Sequence, residues 1–217
     1  MISTDQALRR VRGDDLSDAA SIIMITSANA GEGKTTVAVS LARSYAISGQ
    51  STILIDADLR RPAVHKELGL EPSDALANYL ASAGTPGDDI APLMLTDDLS
   101  KAKFIIGSNI RGAAAGQVVS GERFAKLLNS ASRLFDVVIV DTPPVGALVD
   151  ALYLAQHVDV IVNVVRFGTT SQKEVRATLR ELVEAKQDNA EVVALLNAEP
   201  QSQTETRRRF GSYYIQA

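Results

Sequence analysis

The chain has 217 residues, 46% of them hydrophobic and 22% charged, with a formal net charge of −4. That is enough for one full-sized α/β core, and the charge gives no reason to expect nucleic acid as a partner. The absence of cysteine excludes disulfides and thiolate metal sites. No apolar run reaches the roughly 18 residues that span a bilayer, and residues 1–10 lack the apolar core of a signal peptide; these residues predict a soluble, intracellular chain.

In chain order, residues 4–12 predict a short helix with Thr4 or Asp5 near its cap, placing Gln6, Arg9 and Arg12 on roughly one face. A polar linker follows over 13–20. Residues 22–25 form a short apolar run that predicts a buried strand. It breaks into the small residues 27–33, and a helical pattern begins at Lys34, with Val37, Leu41, Tyr45 and Ile47 at helical spacing and Gly49 as a stop. The run 52–55 predicts a second strand leading into Asp56-Ala57-Asp58. It is apolar on both faces, as a parallel sheet requires.

Residues 59–110 carry weaker signals: a short helix over 76–80 and a strand over 103–106 ending in Gly107. Beyond them, 122–134 is an amphipathic helix with Phe124, Leu127, Leu128 and Ala131 on one side. Residues 137–140 predict a strand that delivers Asp141-Thr142-Pro143-Pro144. A helix over 148–155, a strand over 160–165, a helix over 171–185 and a strand over 192–196 ending at Asn197 complete the pattern. Alternating strands and helices predict a doubly wound, mostly parallel sheet with helices on both faces, of the P-loop NTPase type. The expected division is a domain over 1–198 and a flexible, tyrosine-bearing tail over 199–217, with Arg207, Arg208 and Arg209 preceding Phe210.

In such sheets the ligand sits at the strand C-terminal ends, where Lys34, Asp56, Asp141 and Asn197 all fall. A strand, a Gly-containing loop and Lys-Thr opening a helix make a phosphate-binding loop, although Ala28 stands where the strict pattern has glycine. Gly31, Glu32, Gly33, Lys34, Thr35 and Thr36 are the expected nucleotide contacts, and the Thr35 hydroxyl an expected Mg²⁺ ligand. Asp141 closes an apolar strand in the Walker B manner, as a holder of Mg²⁺. Asp56 and Asp58, one residue apart, point to opposite sides of an extended chain, and both face the nucleotide only if the chain turns there. One acid can then hold metal while another accepts a hydroxyl proton. Arg60 and Arg61 suit either a phosphate clamp or salt bridges, and His65 and His157 are read as structural.

Three strings together resemble the Walker A, A′ and B motifs of bacterial tyrosine kinases, the cytoplasmic kinase domains of capsular and exopolysaccharide co-polymerases. They are Ser27-Ala-Asn-Ala-Gly-Glu-Gly-Lys-Thr35, Ile53-Leu-Ile-Asp-Ala-Asp-Leu-Arg-Arg-Pro62 and Val137-Val-Ile-Val-Asp-Thr-Pro-Pro144. Gln6-x-x-Arg9-x-x-Arg12 resembles the family's Glu-x-x-Arg-x-x-Arg interface helix, and Tyr213 and Tyr214 its autophosphorylation cluster. The resemblance implies ATP- and Mg²⁺-dependent tyrosine autophosphorylation in trans within a homo-oligomeric ring, commonly of eight subunits. A membrane co-polymerase segment would activate the ring at the inner face of the cell membrane, through a partner or an N-terminal region beyond this chain.

Carried over, Lys34 and Thr35 bind phosphate and metal, Asp56 is the base, Asp58 assists and holds metal, Asp141 organises the metal, and Asn197 touches adenine. Four departures stand out: Ala30 for a usual proline, Gln6 for the interface glutamate, 113–119 in place of an Asn-Pro stretch, and two tyrosines where the family often carries more. One competing expectation is a MinD- or ParA-like ATPase switch, against which Asn29 stands where those proteins carry a second lysine. The other is a non-catalytic scaffold of an export complex, against which stand Lys34, Asp56, Asp58 and Asp141.

Overall fold

The computed structural model describes residues 20–82, 89–109, 121–147 and 150–199. The expected interface helix with Gln6, Arg9 and Arg12, the stretch 113–119, and the tail with Tyr213 and Tyr214 lie outside the described residues.

Among the described residues seven strands form one sheet in the order β3-β4-β2-β5-β1-β6-β7. They are β1 (Ser21–Ser27), β2 (Thr52–Asp56), β3 (Leu95–Thr96), β4 (Lys103–Ile105), β5 (Val137–Asp141), β6 (Val160–Arg166) and β7 (Glu191–Asn197). Every pairing is parallel except the two-residue β3 against β4. The central strands are apolar and buried on both faces, because helices cover both. On one face lie α1 (Lys34–Ile47) and α2 (Val64–Glu67), contributing Ala38, Leu41, Ala42 and Val64 to a core with Ile23, Ile25, Leu54 and Ile139. The other face carries α3 (Ala75–Ala81), α4 (Glu122–Leu134), α5 (Asp150–Leu154) and α6 (Gln172–Ala185), over Met24, Ile53, Ile55, Val138 and Ile161.

The α4 stripe of Phe124, Leu127, Leu128 and Ala131 is buried as its spacing predicts. In α1 the buried line runs through Ala38, Leu41 and Ala42, while Ile47 at the last turn is exposed. Of the residues expected along that helix, Leu41 is buried and Val37 and Tyr45 are half-buried against the core, while Ala38 and Ala42, which carry no large side chain, are fully buried. Ser171 starts α6 with a reciprocal capping box to Glu174.

Candidate functional site

β1, β2 and β5 run side by side and end together. Asp56 lies opposite Asp141 across the β2–β5 pairing, and Ile25 opposite Asp141 across β1–β5. Parallel register alone therefore brings the ends of the three motif-bearing strands to one spot. Ala57 N–H donating to the Asp141 carbonyl (2.8 Å) and Thr142 N–H to that of Ile25 (3.0 Å) carry the alignment past the strand ends.

After β1 the loop turns through Gly31 and Gly33, at φ 82° and 90°. That left-handed backbone favours glycine. A Cβ at Gly33 would also fall 2.2 Å from Asn197 Nδ2, so a larger residue there would have to push that amide aside. No side chain caps α1, so the orphan N–H groups of its first turn point out of the helix, an arrangement that suits an anion.

Lys34 Nζ lies 3.3 Å from Asp58 Oδ2, and the Thr35 hydroxyl donates to Asp141 Oδ2 at 2.7 Å. The backbone turns after β2, with Arg61 N–H donating to the Asp58 carbonyl and to its Oδ1, both at 3.1 Å. The two Walker A′ carboxylates thereby take different positions. Asp58 lines an open cleft of about 710 Å³ together with Gly31, Lys34, Thr35, Arg60 and Arg61. Asp56 lies behind it, fully buried, its Oδ2 accepting the N–H groups of Ala63 and Val64 at 3.2 Å each.

One oxygen of Asp56 and one of Asp141 are buried without a partner. Burial pushes Asp56 well above the ordinary carboxylate value, with the Asp141 charge adding and the Val64 and Ala63 amides opposing. Burial likewise lifts Asp141 to about 7, against the Lys34 charge and the Thr35 hydrogen bond. Among the described residues no cluster of three or more acidic or imidazole side chains could hold a metal on its own. The free Asp141 oxygen, the Thr35 hydroxyl and nearby Asp58 nevertheless fit Mg²⁺, which binds through one or two carboxylates and shares its shell with phosphate.

Other contacts were invisible in sequence. Glu32, expected among the nucleotide contacts, turns its side chain inward. Its carboxylate accepts Asn29 N–H (2.6 Å) and the Thr170 hydroxyl. Asn197 donates its amide to the Glu32 carbonyl at 2.9 Å, so it sits directly on the loop. Asn29 donates to Glu174 of α6 at 3.1 Å, and Arg166 to the Gly31 carbonyl at 2.9 Å. The Thr36 hydroxyl donates to Glu67, at the end of α2, at 3.0 Å. Local spacing signals none of these pairs, because the partners lie 31 to 165 residues apart, Asn29 with Glu32 excepted.

A phosphate loop at the end of β1, with the acid-tipped strands β5 and β2 in succession on one side of it, defines a P-loop NTPase fold. The family model described as an AAA domain matches residues 20–192, and the chain belongs to that family. Its relatives include the "Tyrosine-protein kinase wzc" of Salmonella typhi, 29% identical over 159 residues, covering 73% of this chain and 21% of that protein. The "Tyrosine-protein kinase YwqD" of Bacillus subtilis is 33% identical over 152 residues, 70% of this chain and 62% of that one. The chain thus spans about a fifth of the Salmonella protein and somewhat less than two thirds of the Bacillus one. Among solved structures, the kinase domain of the Escherichia coli tyrosine kinase Etk superposes with a TM-score of 0.76 at 27% identity, covering 91% of this chain and 75% of that one.

Proposed function

We propose that this chain is an ATP-dependent protein-tyrosine kinase domain that phosphorylates C-terminal tyrosines, Tyr213 and Tyr214, on a neighbouring copy. Its setting is a capsule or exopolysaccharide export system. The observation that carries the reading is the pair of contacts Lys34–Asp58 and Thr35–Asp141 at the end of a phosphate loop, in a chain whose relatives are named tyrosine kinases. The partners that follow are other copies of the chain, in a ring, and a membrane-bound co-polymerase segment that brings the domain to the inner membrane face.

Loop N–H groups and Lys34 bind the phosphates and hold the terminal one still. Thr35, Asp58 and Asp141 are the residues that would hold Mg²⁺, which neutralises charge on the transferred phosphoryl group. The tyrosine oxygen bonds to the terminal phosphorus as the bond to the bridging oxygen of ADP breaks, and Asp56 takes the phenolic proton. Burial raises the basicity of Asp56, the direction that favours accepting a proton. The test is incubation of the purified chain with ATP and Mg²⁺, followed by mapping of phosphotyrosine by mass spectrometry. Label on 213 or 214 is expected, and none in Lys34→Met; an unlabelled wild type, or a Lys34→Met protein labelled at the wild-type rate, refutes the reading.

A further inference from the structure

The cleft contains a cation that neither the motifs nor the reading above employs. Arg166, the last residue of β6, lines the cleft mouth beside Ala30, Gly31 and Lys34. One of its guanidinium nitrogens donates to the Gly31 carbonyl at 2.9 Å. Its other N–H groups have no partner among the described residues. An exposed arginine would normally be mobile, but the backbone under this one is fixed. The Arg166 carbonyl accepts from Thr169 and Thr170 (3.3 and 3.2 Å), and the next residue, Phe167, donates to the Asn197 carbonyl at 2.9 Å. Thr170 and Asn197 in turn hold Glu32 of the loop.

The phosphate loop and the arginine are therefore one unit, and the guanidinium is tethered at the cleft lining with one donor spent on Gly31. Such preorganisation lowers the entropy lost in each new hydrogen bond, and a planar fork suits phosphate oxygens. Lys34 is meanwhile shared with Asp58, so its charge is partly countered before any anion arrives.

Resting on the nucleotide-binding reading, we infer that Arg166 is a polyphosphate-binding residue. It clasps the phosphate loop from outside through Gly31 and offers its free N–H groups to the phosphate chain. A residue that only propped the loop would act through shape, whereas a phosphate ligand acts through charge. Salt therefore separates the two, because screening weakens charge contacts and leaves a neutral prop unchanged.

The experiment measures binding of ATP and of inorganic tripolyphosphate, with Mg²⁺, to the full chain, to Arg166→Gln and to Arg166→Lys, at several salt concentrations. Arg166→Gln is expected to weaken both ligands roughly 10- to 100-fold at low salt, the scale of a charge-assisted hydrogen bond, with the gap closing as salt rises. Arg166→Lys, which keeps the charge, should recover to within about 5-fold of wild type at low salt. An unchanged affinity in Arg166→Gln, or a loss that is independent of salt and not relieved by lysine, overturns the inference. Wild-type protein that binds neither ligand overturns the nucleotide reading and takes this inference with it, an outcome distinct from the other two.

Discussion

Asp141→Asn removes the charge of a carboxylate that is fully buried, bonded on one oxygen to Thr35 and unpartnered on the other. Without nucleotide or metal that charge is a burden on the fold. Burial raises the group from 3.8 to about 7, and a shift of that size is worth about 4 kcal/mol. The sign follows from proton counting. Between pH 4 and 7 the folded chain binds the proton that the unfolded chain has lost, so stability falls as pH rises through that window, and the full cost is present above it.

Asparagine carries no such cost and can still accept the Thr35 hydroxyl. It places an N–H where the unpartnered oxygen was, and an unsatisfied donor costs about 1–3 kcal/mol. The expected net gain at pH 8 is about 1–3 kcal/mol, or roughly 3–9 °C in Tm for a domain of this size. At pH 4 the charge cost is nearly gone while the donor cost remains, so the variant should there be less stable than wild type by about 1–3 kcal/mol. Thermal unfolding of wild type and variant in EDTA from pH 4 to 8 measures it; a variant less stable at pH 8, or a gain equal at all pH values, refutes the argument from buried charge. The same variant should lose the stabilisation that Mg²⁺-nucleotide gives wild type.

Asp56→Asn should lower the chemical rate roughly 10²- to 10⁴-fold and spare nucleotide affinity, while Asp141→Asn weakens Mg²⁺-nucleotide binding more. Equal losses of affinity, read by fluorescent-nucleotide titration, would remove the division between base and metal holder. Asp97, buried and bonded to Arg43 by two contacts of 3.1 and 2.9 Å, is held below 3.8 mainly by the Arg43 hydrogen bond. Asp97→Asn should cost about 1–3 kcal/mol at neutral pH, a difference present above about pH 4 and lost as pH falls through the lowered value; urea unfolding at pH 7 and pH 3 reads it. Arg9→Ala with Arg12→Ala should dissociate the expected ring, seen as a smaller mass by light scattering; an unchanged oligomer counts against the interface assignment. Mixing Lys34→Met protein that keeps its tail with active protein lacking residues 210–217 should put phosphotyrosine on the inactive chain, and a blank there, while wild type labels itself, rules out transfer between subunits.

Most of the sheet was readable because its strands are short, uniformly apolar and capped by acids or small residues, which is what burial on both faces demands. Lys34, Asp58, Thr35 and Asp141 were readable for a related reason, since a strand end in a parallel sheet is a position and the motif names its occupant. What escaped was set by distant partners. The helix α2 is only four residues long, too short for periodicity, and Asp56 grips its first amides from β2. The strand β3 is two exposed residues whose pairing with β4 makes it a strand. Glu32 reads as a phosphate contact by its place in the loop, yet its inward turn depends on Thr170. Arg166 has no motif at all, because its partner is a backbone carbonyl, and every residue has one of those.

Asn197 ends the last strand and fills the space over Gly33 that a single Cβ would occupy. The end of β7 is thus joined to the phosphate loop through the Asn197 amide. Any displacement of that loop is passed to the end of β7, and a displacement of that strand end is felt by the loop. Linkage makes the two effects equal in size. On the proposed reading, whatever displaces the end of β7 would therefore alter how tightly the loop keeps a nucleotide, and the bound nucleotide would in turn alter how readily that strand end moves.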